Sequence, residues 1–269
     1  MLEIRRLVCP HCGRELSGSE RYITRFCLTC LRQWIITGKG IRALSVHRAV
    51  ADGEASDLNL PFWVIRIDHR KLAGDITRSV RKIREQTGSM AGVRLNPEME
   101  EESYLDAFRQ KSGMEKMAML AGMREHRRMV GSSQIDHLVE RITNSGDYRV
   151  YVPAFISSNP FAYLKAGRLL TSRQPSFEVD SSAVFNEQLL CSVESGEALA
   201  LADFVFLASL PKSVLNSGKL LKGISPEPLS PPVLVNFPFR RERSSLTSLI
   251  GRFSISSRLV QTPQPAGKD

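Results

Sequence analysis

The sequence predicts an α+β protein in which a small four-cysteine β ribbon precedes a larger mixed domain. Three observations support this. Four of the five cysteines lie in two CxxC pairs near the start of the chain, and later apolar tracts of strand length alternate with stretches of helical periodicity. The chain of 269 residues is also long enough for one sizeable domain with a small one attached.

The four N-terminal cysteines have the spacing of a metal site. Cys9 and Cys12 are separated by two residues, as are Cys27 and Cys30, and 14 residues lie between the pairs. A CxxC pair can fold into a tight turn, here called a knuckle, and two knuckles complete the tetrahedron that Zn²⁺ takes in structural sites. The spacing predicts one zinc ion held by all four cysteines. Because four thiolates leave no open position, this zinc is expected to hold a shape and not to activate water.

Other interpretations of the cysteines stay open. The same thiolates could hold an iron centre, or a CxxC pair could act as a redox couple. His11, inside the first knuckle, is a candidate substitute ligand. Disulfides need an oxidising compartment, and the start of the chain lacks the apolar segment of a secretory signal. We therefore expect reduced cysteines in a cytoplasmic protein that has no membrane-spanning segment.

Apolar patterning predicts the strands. Residues 32–50 predict two strands joined at a Gly-Lys-Gly turn, which would complete a three-stranded ribbon. Three later tracts, 58–67, 148–156 and 232–241, combine strand-forming residues with a Pro close to a Phe. The shared pattern hints at a degenerate repeat marked by Phe62, Phe155 and Phe239.

Helices are predicted between these strands. Asp75 is a candidate N-cap for a helix over 76–86 that ends before Gly88. Further helices are expected to begin at Pro160 and near Ser195. The order of elements predicts a ribbon over 1–50, the first strand and helix of the α+β domain over 51–89, a Met-rich insertion or linker over 90–130, the remainder of that domain over 131–259 and a disordered tail over 260–269.

The N-terminal segment carries most of the positive charge. Residues 1–50 contain nine Lys and Arg against three Glu, a net charge of +6, and the whole chain carries +9. Such a field attracts phosphate backbones or acidic protein surfaces. The candidate contact residues in this segment are Arg14, Arg21, Arg25, Arg32 and Trp34. In the competing interpretation, Phe26 and Trp34 pack beneath the metal site and the arginines are solvated.

The Met-rich segment is unusual in composition. Residues 90–129 hold seven of the eight methionines, between an acidic EMEEE and a basic REHRRM stretch. A charged helix packed on the domain and a helix that docks on a partner through adaptable methionines both suit this composition. The candidate binding residues are Met114, Met117 and Met123. Copper capture by Met114 and Met117 is a poorer alternative, because thioethers without a clustered His or Cys make weak sites.

No pattern that marks a catalytic or nucleotide-binding site occurs in a usable context, so we predict that the chain is not an enzyme. A site assembled from scattered residues is the alternative. His137 and Glu140 are one helical turn apart, which more often marks a solvated face. Cys191 is expected to be a small buried hydrophobic residue rather than a nucleophile.

The knuckle sequences CPHCG and CLTC resemble the zinc-ribbon class that occurs in transcription factors, primosomal helicases and bacterial adaptor proteins. The resemblance covers about residues 7–50 and implies a β ribbon with the four cysteines as ligands. The second knuckle departs from the common pattern, with Leu31 where Gly often follows the cysteine. The LPFW tract and the later Pro-Phe tracts look like those of uncharacterised bacterial zinc-ribbon proteins, and that likeness implies no activity.

We therefore expect a non-enzymatic zinc-ribbon adaptor or scaffold that binds another protein. The alternative is a nucleic-acid-binding protein that uses the basic face of the ribbon, with weak and sequence-independent affinity.

Overall fold

The computed structural model describes residues 7–18, 20–51, 56–90, 117, 133–157, 160–180, 191–210 and 224–260. Helices and a mixed sheet share these residues, which confirms the predicted α+β class. No helix within these ranges is long and apolar enough to cross a membrane.

The N-terminal ribbon has the predicted three strands. They are β1 (Thr24–Phe26), β2 (Gln33–Thr37) and β3 (Gly40–Ala43), paired antiparallel in that order. The turn between β2 and β3 falls at the predicted glycines, and Gly40 has a φ of 110°, which a residue with a Cβ rarely adopts. The second CxxC pair lies between β1 and β2, and an isolated antiparallel bridge between Ser17 and Phe26 brings it beside the first pair.

The larger sheet contains seven strands. They are β4 (His47–Val50), β5 (Leu58–Arg66), β6 (Arg149–Pro153), β7 (Glu178–Asp180), β8 (Val233–Glu242), β9 (Ser245–Ser248) and β10 (Ser254–Ser256). The three Pro-Phe tracts predicted as strands are β5, β6 and β8. They are neighbours in the sheet, with β5 antiparallel to β6 on one edge and to β8 on the other.

The second edge of β8 makes the sheet fork. This edge pairs in parallel with β4 at Val235 and Asn236, and then antiparallel with β9 from Phe239 onward. Pro238 lies between these two pairings, and its carbonyl accepts a hydrogen bond of 3.1 Å from the Leu249 N–H. Proline has no N–H to donate to a neighbouring strand. At Pro238 this does no harm, because the position lies where the neighbour of β8 changes from β4 to β9 and no ladder partner needs the donor.

Aromatic rings fill one face of this sheet. The Phe62 ring centroid lies 5.7 Å from that of Phe155, 5.3 Å from that of Phe237 and 6.5 Å from that of Phe239. All four side chains are buried in one apolar cluster. The three phenylalanines that mark the Pro-Phe tracts thus meet in the core, which gives their shared pattern a packing reason.

Four helices occur among the described residues: α1 (His69–Met90), α2 (Ser133–Asn144), α3 (Pro160–Arg173) and α4 (Ser195–Ser209). The predicted starts at Pro160 and Ser195 are confirmed. The prediction for Asp75 is wrong, because α1 begins at His69 and its first turn is capped by Asp68, whose Oδ1 accepts a 3.0 Å hydrogen bond from the Lys71 N–H. Gly88 lies inside α1 and does not end it.

Helix α3 closes the free edge of the sheet at β6. The Thr171 hydroxyl accepts a 3.0 Å hydrogen bond from the Tyr151 N–H. Gln174 accepts from the Arg149 N–H at 2.9 Å and donates to the Arg149 carbonyl at 2.6 Å, so its amide takes the place of a neighbouring strand. A Cβ on Gly167 would lie 2.5 Å from the Tyr151 carbonyl oxygen, so only glycine allows this close approach.

The chain forms two compact units. One contains Met1–Arg66, Arg149–Ser209 and Pro228–Asp269, and therefore both the ribbon and the seven-stranded sheet. The other contains Ile67–Tyr148 and Leu210–Glu227. In this second unit, α1 and α2 pack together through buried aliphatic side chains, among them Ile76, Val80 and Leu138.

Truncation of Phe62 is expected to be severely destabilising. Phe62→Ala removes a fully buried ring that contacts three others, so the free energy of unfolding in urea should fall by about 3–5 kcal/mol. The matched control is Phe204→Ala, because that ring is 63% exposed. Its loss should change the free energy by less than about 1 kcal/mol. Similar losses in the two variants would contradict the core described here.

Candidate metal centre

The ribbon brings all four predicted cysteine ligands together. The Sγ atoms of Cys9, Cys12, Cys27 and Cys30 all lie within 4.8 Å of one another. The Cys9 and Cys30 sulfurs are 3.6 Å apart, and those of Cys12 and Cys27 are 3.4 Å apart. The four cysteines thus form a candidate metal centre. His11 is exposed and lies outside this group.

The two knuckles have the same backbone hydrogen bonds. In the first, the Cys9 carbonyl accepts from the Gly13 N–H at 2.8 Å and the Cys9 N–H donates to the Arg14 carbonyl at 2.7 Å. In the second, the Cys27 carbonyl accepts from the Leu31 N–H at 2.8 Å and the Cys27 N–H donates to the Arg32 carbonyl at 2.9 Å. One turn geometry therefore presents both pairs of thiolates.

This turn requires a left-handed backbone at the residue after its second cysteine. Gly13 supplies it in the first knuckle with a φ of 70°. Leu31 adopts it in the second with a φ of 56°, although its side chain makes this conformation unfavourable by about 1–2 kcal/mol. Leu31 in place of Gly therefore leaves the hydrogen bonds of the turn unchanged, but it strains the backbone.

The sulfur positions fit a tetrahedral zinc ion. A Zn–S bond of about 2.3 Å sets the edge of a regular tetrahedron at about 3.8 Å, close to the observed separations. A disulfide needs sulfurs about 2.05 Å apart, and all five cysteines are free. When bound, zinc would supply the cross-link between the two knuckles. A shell of four thiolates would leave it no position for water or substrate.

Backbone N–H groups favour the thiolate form of one ligand. In the metal-free chain, the Cys30 N–H donates to the Cys27 sulfur and is the main cause that lowers the pKa of Cys27 to about 6. Desolvation raises the pKa of Cys30 to about 12, with further increases from the neighbouring thiols. Zinc needs all four as thiolates, so binding at neutral pH must displace protons from this centre.

Two predicted partner contacts lie inside the ribbon, which corrects the expectation for them. Trp34 is 7% exposed and packs with Cys9, Leu16 and Cys27. Arg25 is 8% exposed, and its guanidinium donates to the backbone carbonyls of Tyr22 and Thr24. Desolvation lowers the pKa of Arg25. Burial thus removes both side chains from the surface that a partner would contact. The competing interpretation agrees with this packing for Trp34, and Phe26 is buried as well.

The remaining predicted contact residues have different positions. The side chains of Arg14, Arg21 and Arg32 are exposed on the ribbon. Met117 is 69% exposed, while Met114 and Met123 lie outside the described residues.

The ribbon is attached to the rest of its unit through Cys191. The Cys191 carbonyl accepts a 3.0 Å hydrogen bond from the Ile23 N–H and a 3.5 Å hydrogen bond from the Thr24 hydroxyl. The Cys191 thiol is fully buried, and this burial raises its pKa to about 12. The predicted role of Cys191 as a buried hydrophobic residue is confirmed. Its backbone role has no signal in the sequence, because any residue supplies a carbonyl.

Sequence reasoning also missed two exposed leucines of the second knuckle. Leu28 is 71% exposed and Leu31 is 50% exposed. The hydrogen bond that closes the turn holds both in one short loop. The signal was present in CLTCL, where two apolar residues occupy a turn that polar residues and glycine usually fill.

No protein-family model matches the chain, and neither the curated proteins nor the solved structures contain a detectable match. The four-cysteine cluster supports the zinc-ribbon resemblance for the N-terminal segment alone.

We expect purified protein to contain about one zinc ion per chain, since the two knuckles supply one four-thiolate shell. Cys27→Ser should lose the ion and unfold the ribbon. The matched control is Cys191→Ser, which changes a cysteine outside the cluster and should keep the metal. Elemental analysis of the three proteins tests this. Equal zinc content in both variants would contradict the assignment of the ligands.

Leu31→Gly should stabilise the ribbon, because glycine adopts the left-handed backbone without steric cost. We expect the free energy of unfolding of the zinc-bound ribbon to rise by about 1 kcal/mol. Leu28→Gly is the control, because Leu28 is not among the residues with positive φ and glycine there only adds entropy to the unfolded chain. Competition with a zinc chelator measures both. If Leu28→Gly stabilised the ribbon and Leu31→Gly left its stability unchanged, the backbone strain at Leu31 would be refuted.

Proposed function

We propose that this chain is a non-enzymatic adaptor that binds another protein through its second zinc knuckle. The metal fixes the loop that carries Leu28 and Leu31, and these two side chains insert into an apolar surface of the partner. The observation that carries the proposal is their exposure, 71% for Leu28 and 50% for Leu31. Leu28 lies between the candidate ligands Cys27 and Cys30, and Leu31 directly follows Cys30.

The backbone strain at Leu31 supports this function. Gly would satisfy the same turn at lower cost, as Gly13 does in the first knuckle. A large apolar side chain that is half exposed and strained gains little from its own fold. Strained residues cluster where a function needs the side chain, and burial of Leu31 against a partner would offset the cost.

The charges around the knuckles indicate what the partner surface looks like. Arg32 follows Leu31 directly, Arg14 follows Gly13 directly, and both are exposed. The segment 1–50 has a net charge of +6. An apolar pocket with an acidic rim would complement this surface, with the leucines supplying contact area and the arginines guiding association.

The same observations argue against nucleic acid as the main ligand. Base stacking needs an accessible aromatic ring, and Trp34 and Phe26 are buried, as is Arg25. Phosphate contacts by exposed arginines such as Arg14 and Arg32 would give weak, salt-sensitive binding, with a Kd no tighter than about 10⁻⁶ M at physiological salt.

The test is affinity capture from the native host with the full chain as bait. We expect a partner protein that survives nuclease treatment and moderate salt. Leu28→Ser combined with Leu31→Asn should lose it, and this double variant keeps the fold because Asn tolerates the left-handed backbone. The matched control is Leu229→Ser, which removes a leucine that is 56% exposed outside the ribbon.

Capture that disappears with nuclease, or equal loss in the knuckle variant and the Leu229→Ser control, would overturn the adaptor assignment. Nuclease-sensitive capture that is reduced by Arg14→Gln with Arg32→Gln would support nucleic-acid binding instead.

A further inference from the structure

A polar cleft lies at the fork of the large sheet. The strands β4 and β9 pair with successive stretches of the same edge of β8, and a cavity of about 460 Å³ lies where one strand gives way to the other. The lining includes the end of β4, Arg240 of β8, and the turn from Thr247 to Arg252 that joins β9 to β10. The cleft belongs to one compact unit and contains no ligand of the candidate metal centre.

The chemistry of the cleft is that of an anion site. Among the residues that the structure describes, the charged lining residues are Arg240 and Arg252, and Ser176 and Thr247 also line the cleft. The Thr247 hydroxyl shares a 2.8 Å hydrogen bond with the Ser254 hydroxyl. The lining residues that the structure describes include no carboxylate. The nearby Asp57 carboxylate accepts a 2.8 Å hydrogen bond from the Arg241 N–H and so supports the backbone of β8. Two guanidinium groups with hydroxyl donors match the several oxygens of a phosphate.

Arg252 adopts a left-handed backbone to take its position. Its φ is 51°, where glycine would be favoured. Arg173 holds this conformation, because its guanidinium donates to the Gly251 carbonyl at 2.6 Å and to the Arg252 carbonyl at 2.7 Å. The Ser248 hydroxyl also accepts from the Gly251 N–H at 3.0 Å. These hydrogen bonds therefore fix the backbone of the turn that carries the exposed, charged residue Arg252.

The strain at Arg252 differs in kind from that at Gln174. Gln174 also has a positive φ, of 46°, but its side chain closes the edge of β6 and so contributes to the fold. Arg252 is exposed and lines the cleft. A strained residue whose side chain faces a cavity is typical of a ligand site.

We propose that this cleft binds the phosphate group of a small phosphorylated molecule, with Arg240 and Arg252 as the charged contacts. Its volume lies within the range of about 300–1,000 Å³ that small-molecule sites occupy. Ser176 donates a hydrogen bond to a phosphate oxygen that the guanidinium groups leave free. The Thr247 hydroxyl donates another while it accepts the hydrogen bond of the Ser254 hydroxyl. This site is independent of the knuckle surface, and its failure would leave the adaptor function unaffected.

The test is an NMR titration of the full chain with inorganic phosphate. We expect saturable shifts of the backbone amides from residues 247 to 252. Arg240→Gln and Arg252→Gly should each weaken binding by about tenfold, the effect of losing one charge-assisted contact. Arg252→Gly should also raise the melting temperature, since it relieves the strain. A merely structural arginine would not combine greater stability with weaker binding.

The matched control is Arg243→Gln, an exposed arginine outside the lining that removes the same charge. It should leave phosphate binding unchanged. Equal weakening in this control, or no saturable shift at residues 247–252, would overturn the proposal. Acetate that binds as tightly as phosphate would also overturn it. Titration with a single-stranded oligonucleotide distinguishes a small phosphorylated molecule from a nucleic acid as the source of the phosphate. If the oligonucleotide bound more tightly than phosphate and its binding depended on Arg243 as well as Arg252, the contact would be with the protein surface and the proposed site would be wrong.

Discussion

The ribbon depends on the convergence of four sulfur atoms. Its buried cluster consists of Cys9, Leu16, Cys27 and Trp34, with Cys30 and Ile41 at the margin, and two of the four central members are themselves ligands. So small an apolar cluster cannot offset the conformational entropy of the chain it must order. A metal ion shared by the four cysteines would supply the missing stabilisation and fix the two knuckles relative to each other. We therefore expect the surface that carries Leu28 and Leu31 to form only while the four sulfur atoms are held together.

The larger sheet is held together by the burial of apolar side chains. Pairing of β5 with both β6 and β8 brings the rings of Phe62, Phe155 and Phe239 into one core, which holds β8 in place. Because β8 is fixed by β5, its other edge can pair with both β4 and β9. The cleft at this point forms without any additional helix or strand. In both the knuckle and the cleft, an exposed side chain occupies a backbone conformation better suited to glycine. Stability alone does not favour this choice of residue, whereas the proposed contacts would.

The sequence predicted local features well. The CxxC pairs, the turn at Gly38–Gly40, the three Pro-Phe strands and the helix starts at Pro160 and Ser195 each depend on a few neighbouring residues. The cap at Asp68 was missed because Asp75 begins an equally good pattern within the same helix. The burial of Arg25 depends on backbone carbonyls that only the folded ribbon brings to its guanidinium. The sheet fork and the attachment at Cys191 join distant segments, and no local pattern encodes such pairings.

X-ray absorption at the zinc edge of the purified full chain tests the central claim most directly, because it identifies the atoms around the metal. We predict four sulfur neighbours at about 2.3 Å and no nitrogen or oxygen neighbour. A shell containing nitrogen or oxygen would show that the site is open or uses other ligands, and would contradict a purely structural ion. Absence of bound zinc in protein prepared under reducing conditions would contradict the account of the ribbon as a whole.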